Sequence, residues 1–414
     1  MPPAPSILRS LALTSRRIPK VEIHRCLRLY SVESVNIPPL PPDDEWKAVF
    51  PHLPVPVRDR VSVRDPVTAD RMAASFVAGK SIAAGDNKII IESFPGPGAL
   101  SRALLKLPES KIKKLIILED WKTYLEHLQP LEADPRVTVV PLSGFDWDTY
   151  SIIEERGLLN DVETVPWDGG GAFSVRVLVA VMGSLGLTCC SAPTTPLHQH
   201  IPHSIKGEQL IAQLFRCIPE KSWLFKYGRV PMSFILGDWI WERTTAKKGT
   251  QSRCKVSVIA EASAKLQNSV PPASLRPYEE HFHPLRNLTI VQQNRPESRR
   301  VGHPYVSVNV LPYEEQVIER DMLEKWDFVL RRLFVLKGTP LKRAISSIAP
   351  GANVMLKSLT DPALPKNERV DCTQKVRDLT IAEWALVMRA FDNWPFAPQD
   401  LMIGDHFLRD DRRY

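Results

Sequence analysis

At 414 residues the chain is long enough for two domains and a large buried core. Its hydrophobic fraction of 43% is ordinary for a soluble globular protein, and no apolar run reaches the roughly 18 residues of a bilayer-spanning helix, so no helical membrane protein is expected. The net charge of +7 suits a polyanionic partner, although a basic leading segment supplies part of that excess.

The first 36 residues carry Arg9, Arg16, Arg17, Lys20, Arg25 and Arg28, with several serines, and the first acid is Glu22. Arginine-rich, serine-containing and acid-poor is the composition of a mitochondrial transit peptide, and Arg28-Leu29-Tyr30-Ser31 reads as a matrix-processing site. The expected location is the mitochondrial matrix. Residues 37–56 open with Ile37-Pro-Pro-Leu-Pro-Pro42, an extended proline-rich linker. The six cysteines, Cys26, Cys189, Cys190, Cys217, Cys254 and Cys372, form no C-x-x-C pair and fit neither a disulfide framework nor a zinc site.

From Val63 to Lys80 the pattern predicts a helix capped near Asp65. Strands and helices then alternate: strand Lys88–Ile91, helix Gly98–Leu107, strand Lys114–Leu118 ending on Glu119, helix Trp121–Leu128, strand Val137–Val140 and strand Val175–Met182. Mostly apolar strands in such alternation predict an α/β fold with a doubly wound sheet. Glu208–Cys217 reads as a helix, Arg229–Trp241 as an apolar helix, Gln267–His303 as loops and Val306–Val310 as a late strand. After Glu314 the texture changes to amphipathic helices, Glu315–Leu336, Thr339–Ile348 and Ile381–Asn393, the last opened by a Thr380/Glu383 capping box. The expected organisation is a Rossmann-like domain over 57–313, a small helical domain over 314–398 and a charged tail over 399–414.

The stretch with the most chemistry is Lys88-Ile-Ile-Ile-Glu-Ser-Phe-Pro-Gly-Pro-Gly-Ala-Leu-Ser-Arg-Ala-Leu-Leu105. A strand ends near Glu92, a Pro-Gly-Pro-Gly turn follows, and a helix begins. Backbone N–H groups at such a helix start are donors to a nucleotide-like ligand. Glu119, about 20 residues on, is placed to take a pair of ribose hydroxyls. His198-Gln-His200-Ile-Pro-His203 has no cysteine or carboxylate at ligand spacing and is not read as a metal site.

The block Glu92-Ser-Phe-Pro-Gly-Pro-Gly-Ala-Leu-Ser-Arg resembles the first motif of the rRNA adenine dimethyltransferases, roughly E-hydrophobic-G-P-G-x-G-x-L-T. Leu118-Glu119 resembles their second motif. Leu333–Lys337, Ile348–Ala352, Arg377–Trp384 and Ala390–Pro398 are similar to their C-terminal domain, so the resemblance runs from about Val57 to Pro398. It implies a class I methyltransferase fold with a small C-terminal helical domain. It also implies Glu92, Gly96, Gly98 and Glu119 as contacts to S-adenosylmethionine, or the vestige of them.

Three departures bear on activity. The family clamps its flipped adenine with Asn-Leu-Pro-Tyr after the fourth strand, where this chain has Met182-Gly-Ser-Leu-Gly-Leu187. Phe94 replaces the first motif glycine, filling the turn and removing glycine's freedom at positive φ. Ser143 replaces the acid after the third strand, with Asp146 as a nearby substitute. Asn309-Val-Leu-Pro-Tyr313 has clamp-like letters but lies far along the chain and reads as strand end plus turn.

With no catalytic residue assigned, binding remains. Trp223, Lys226, Tyr227 and Arg229 interleave aromatic rings with cations, and Arg243, Lys247, Lys248, Arg253 and Lys255 follow. Such residues suit phosphates and unstacked bases. Arg331, Arg332, Lys337, Lys342 and Arg343 form a second basic cluster that reads as a solvated helix face. The resemblance is greatest to the fungal mitochondrial transcription factor branch. That branch implies no cofactor, with mitochondrial RNA polymerase and melted promoter DNA as partners. The alternatives are an active S-adenosylmethionine-dependent rRNA adenine N6-dimethyltransferase acting on small-subunit rRNA, and a non-catalytic ribosome assembly factor.

Overall fold

The structure is a computed structural model that describes residues 37–49, 60, 62–78, 87–167, 175–179, 205–283 and 305–401. The leading segment, Cys189 and Cys190, the histidines of 198–203, the clamp-position residues 182–187 and all but the first residues of the tail lie outside these.

Nine strands are described: β1 (Ser62–Val63), β2 (Lys88–Ser93), β3 (Ile112–Leu118), β4 (Val137–Val140), β5 (Val175–Val179), β6 (Met232–Gly237), β7 (Ala264–Asn268), β8 (Phe282–His283) and β9 (Tyr305–Pro312). Seven form one sheet in the order β4-β3-β2-β5-β6-β9-β7. Its first five strands are parallel and β9 runs antiparallel between β6 and β7. This is the class I methyltransferase sheet that the sequence predicts. Strand order reverses at β2, so the crevice beyond the carboxyl ends of β2 and β5 is where such a sheet takes a ligand. β1 and β8 make a separate antiparallel pair.

Residues of β2 are buried throughout, and so are those of β6, as expected of strands covered on both faces. That double burial explains one misread element. Met232-Ser-Phe-Ile-Leu-Gly237 is strand rather than helix, and the helix Asp238–Thr244 follows it directly. A continuous apolar run has no period to separate the two. The region expected to be loops from Gln267 contains the end of β7 and the short β8. The helix expected from Glu315 begins at Leu323, because Asp321 adopts a left-handed φ of 68° that a helix cannot contain.

The helix Pro66–Ala78 is capped as predicted, Asp65 accepting the Thr68 N–H at 2.9 Å. At the other end of the chain, Thr380 and Glu383 cap Ile381–Asp392 reciprocally. Trp326, Phe328, Trp384 and Phe391 of the late helices join the same apolar core as Leu236 and Val308 of the sheet. Asn309 sits within β9, its Oδ1 accepting the Ser233 hydroxyl at 2.6 Å, which is the strand role expected for it.

Candidate functional site

β2 delivers Glu92 and Ser93 to the crevice, and the chain then turns through Phe94-Pro-Gly-Pro-Gly98. Phe94, Gly96 and Gly98 have φ of 58°, 61° and 88°. The expectation that phenylalanine would forfeit the positive φ is corrected here: the backbone keeps the glycine conformation with a ring attached. For an L-residue that costs about 1–2 kcal/mol. Burial holds it, since the Phe94 ring is 1% exposed and stacks on Phe145 with centroids 4.3 Å apart and planes at 21°.

The turn offers few donors. Pro95 and Pro97 carry no N–H, and Gly98 donates its own to the Pro95 carbonyl at 3.2 Å. Gly96 cannot be another residue, because a Cβ there would lie 2.2 Å from Ser62 Oγ. The segment carrying Arg60 and Ser62 thus runs directly against the turn, on the side a ligand would approach.

Arg60 occupies part of the same space. Its guanidinium carbon lies 4.3 Å from the centroid of the Phe94 ring. Its NH1 donates to Glu119 Oε1 at 2.8 Å and reaches Asp120 Oδ1 at 2.6 Å. Glu119 Oε1 also accepts the backbone N–H groups of Asp120 and Trp121 at 3.1 and 3.0 Å. The acid expected to bind ribose hydroxyls is therefore engaged from within through Oε1, while its buried Oε2 has no hydrogen-bond partner among the described residues. Burial pushes the Glu119 carboxyl up to about 8, against the pull of Arg60.

Glu92 lies on the other side of the turn, buried, with no hydrogen bond to either carboxylate oxygen. Burial pushes its carboxyl up to about 7, opposed by the Ser101 hydroxyl and the Arg102 guanidinium. The void beside it, lined by Ser62, Phe94 and Ser233 among others, has a volume of about 10 Å³, the room of one water. Arg102 braces the turn from beneath, donating to the carbonyls of Pro38, Pro97, Gly98 and His127 at 2.8–3.1 Å. Pro38 belongs to the proline-rich segment, whose Ile37 and Leu40 pack on the core. Among the described residues, the void beside Glu92 has the room of one water, too small for an S-adenosyl group.

After β4, Ser143 turns its groups inward: Oγ accepts the Phe145 N–H at 3.4 Å and the carbonyl accepts the Thr149 hydroxyl at 2.7 Å. Asp146 is exposed at the start of the helix Trp147–Glu155, its carboxyl raised by partial burial and by the like charges of Asp120 and Asp148. The residue that enters the crevice is Phe145. Neither Phe145 nor Arg60 was singled out by sequence. A hydrophobe following a serine and a lone arginine ahead of a helix carry no signal of their own.

The expected nucleic-acid residues divide. Trp223 is half-buried, packed edge-on against Trp147 and Tyr150 with centroids 5.5 and 4.7 Å away. Lys226 lies 2.6 Å from Glu154, and the Tyr227 hydroxyl donates to the same carboxylate. Arg229 donates to the Pro312 carbonyl at 3.1 Å and pairs with Glu314 at 3.2 Å. These residues precede β6, and Trp223 packs on Tyr150, whose hydroxyl donates to the Gly144 carbonyl at 2.8 Å. Arg253 is wholly buried and is removed from the surface set: it donates to the Ala246 carbonyl at 2.9 Å and pairs with Glu261 at 2.6 Å. Lys247 and Lys248 are exposed.

A family model described as ribosomal RNA adenine dimethylase matches residues 78–388. Mitochondrial transcription factor 1 of Lachancea kluyveri is 29% identical over 319 residues, covering 77% of this chain and 84% of its own length. Mitochondrial transcription factor 1 of Saccharomyces cerevisiae is 30% identical over 285 residues, covering 66% and 69%. Dimethyladenosine transferase 1, mitochondrial, of Vermamoeba vermiformis is 21% identical over 390 residues, covering 88% and 98%.

Proposed function

The chain belongs to the ribosomal RNA adenine dimethylase family, in its mitochondrial transcription factor branch, and from that premise we propose that it acts without methyl transfer as a transcription initiation factor of the mitochondrial matrix. In this role it binds the mitochondrial RNA polymerase and promoter DNA and stabilises the melted region, using no cofactor. The observation that carries the reading is the closed crevice, where Arg60 occupies Glu119 and the Phe94 and Phe145 rings fill the adjoining space. A methyltransferase needs that space for its donor, whereas a DNA-binding scaffold needs only the fold around it.

The test is promoter-directed run-off transcription with the cognate polymerase, in parallel with calorimetric titration of S-adenosylmethionine. Start-site stimulation without binding heat is the expected result. Micromolar binding of the cofactor, followed by methyl transfer to a small-subunit rRNA hairpin, would instead establish an active dimethyltransferase. Absence of start-site stimulation would leave the transcription reading without support.

A further inference from the structure

Two basic clusters that lie nearly a hundred residues apart in sequence meet in the fold. The loop that carries Lys247 and Lys248 is tied to the late helical region just after these lysines: Gly249 donates its N–H to the Arg377 carbonyl at 2.9 Å, and Lys337 Nζ donates to the Gln251 carbonyl at 2.7 Å. Arg377 in turn donates its N–H to the Lys337 carbonyl at 3.1 Å. The backbone of 339–342 then runs alongside 372–376, through a bridge between Pro340 and Lys375 and hydrogen bonds from Leu341 to Gln374 and from Lys342 to Cys372. Lys247, Lys248, Lys375, Lys342 and Arg343 are thereby brought onto one connected strip.

All five are exposed, and among the described residues none forms a salt bridge. The acids nearby are engaged elsewhere or few. Glu261 is paired with Arg253, Asp378 lies 3.8 Å from Arg377, and Asp371 accepts from Thr373 while facing Lys342. Beside Lys247 and Lys248 opens a cleft of about 530 Å³, lined also by Leu266, by Glu261 and by Tyr313, a residue 38% exposed.

We infer that this strip binds the phosphodiester backbone of single-stranded nucleic acid, with the Tyr313 face receiving an unstacked base in the cleft. Four of the five cations are lysines, point charges that suit phosphate and are depleted from the buried centres of protein interfaces. An accessible aromatic face beside a cationic track is the pattern of a sequence-tolerant single-strand site. The inference deepens the proposed function by naming the surface, and rests on it only for the biological source of the strand.

The experiment measures anisotropy of a labelled single-stranded oligonucleotide of mixed sequence across a salt series, using the full chain. Lys247→Glu with Lys248→Glu, and Lys342→Glu with Arg343→Glu, are each expected to weaken binding about tenfold or more, and to lower the salt slope by about 0.7 for each phosphate no longer neutralised. Tyr313→Ala is expected to weaken it about fivefold or more, with Tyr313→Phe retaining binding. Lys106→Glu, a cation already paired with Asp70, is expected to change neither affinity nor slope. Circular dichroism and melting confirm that each variant is folded. Unchanged slopes in folded strip variants overturn the inference. So does loss of polymerase association with oligonucleotide binding intact, which would identify an acidic protein surface as the partner. A chain that binds the strand through this strip but fails in run-off transcription would contradict the transcription reading alone.

Discussion

The crevice at the carboxyl ends of the strands and the lysine strip on the helical side handle charge in opposite ways. In the crevice, Arg60 is buried against Glu119 and Asp120 and covers an aromatic ring. On the strip, five cations face solvent with no carboxylate at salt-bridge distance among the described residues. Both regions carry basic side chains, so their presence alone cannot tell the two apart. The distance to the nearest acid does. Charges answered inside the chain stabilise the fold, and charges left unanswered are available to a partner.

Removing Arg60 tests the contrast hardest. Above about pH 8, where Glu119 is ionised, Arg60→Ala leaves the buried carboxylate without its cation and is expected to cost about 3–5 kcal/mol of folding stability in denaturant titrations. A loss below about 1 kcal/mol would mean that the pair behaves like an exposed one. Next in size is Phe94→Gly. Deleting a buried ring costs about 3–5 kcal/mol, and relief of the left-handed strain returns about 1–2 kcal/mol, for a net loss of about 1–4 kcal/mol. Because Arg60 still holds Glu119, this variant is expected to show no calorimetric binding of S-adenosylmethionine. Binding by the single variant would show that the ring alone closes the crevice.

The smallest effect is a slope. Glu92 and Glu119 have folded-state pKa values raised to about 7 and about 8, above their ordinary 4.5, so the folded chain holds protons that the unfolded chain has released. Their contribution to stability is therefore present at low pH and lost as pH rises through these values. Glu92→Gln is expected to flatten that decline between about pH 5 and pH 8, read as denaturation midpoints. An equally steep decline in wild type and variant would exonerate Glu92.

Much of the fold was legible because its signals are local. Strands β2, β3 and β4, the caps at Asp65 and Thr380 and the turn at Gly96 follow from short patterns of apolar residues, acids and glycines. β6 was misread as helix because burial on both faces erases periodicity. The site was legible only in half. Glu92, Glu119 and Phe94 sit in or beside recognisable motifs, but what closes the crevice comes from elsewhere in the chain, Arg60 from before the Pro66–Ala78 helix and Phe145 from after β4. Likewise Arg253 was indistinguishable from Lys247 in a basic run. Only the fold shows one guanidinium among carbonyls and the other charge in solvent.

A protein stabilised by a diffusible ligand has a melting temperature that follows the ligand's concentration. In this chain the group occupying Glu119 is Arg60, joined to it by the peptide backbone, and its supply never varies. On the proposed function, stability of the crevice is thereby uncoupled from the metabolic state of the surroundings. A scaffold that must be assembled before each round of its work gains from that constancy, and an enzyme that must exchange its donor every turnover would be stopped by it.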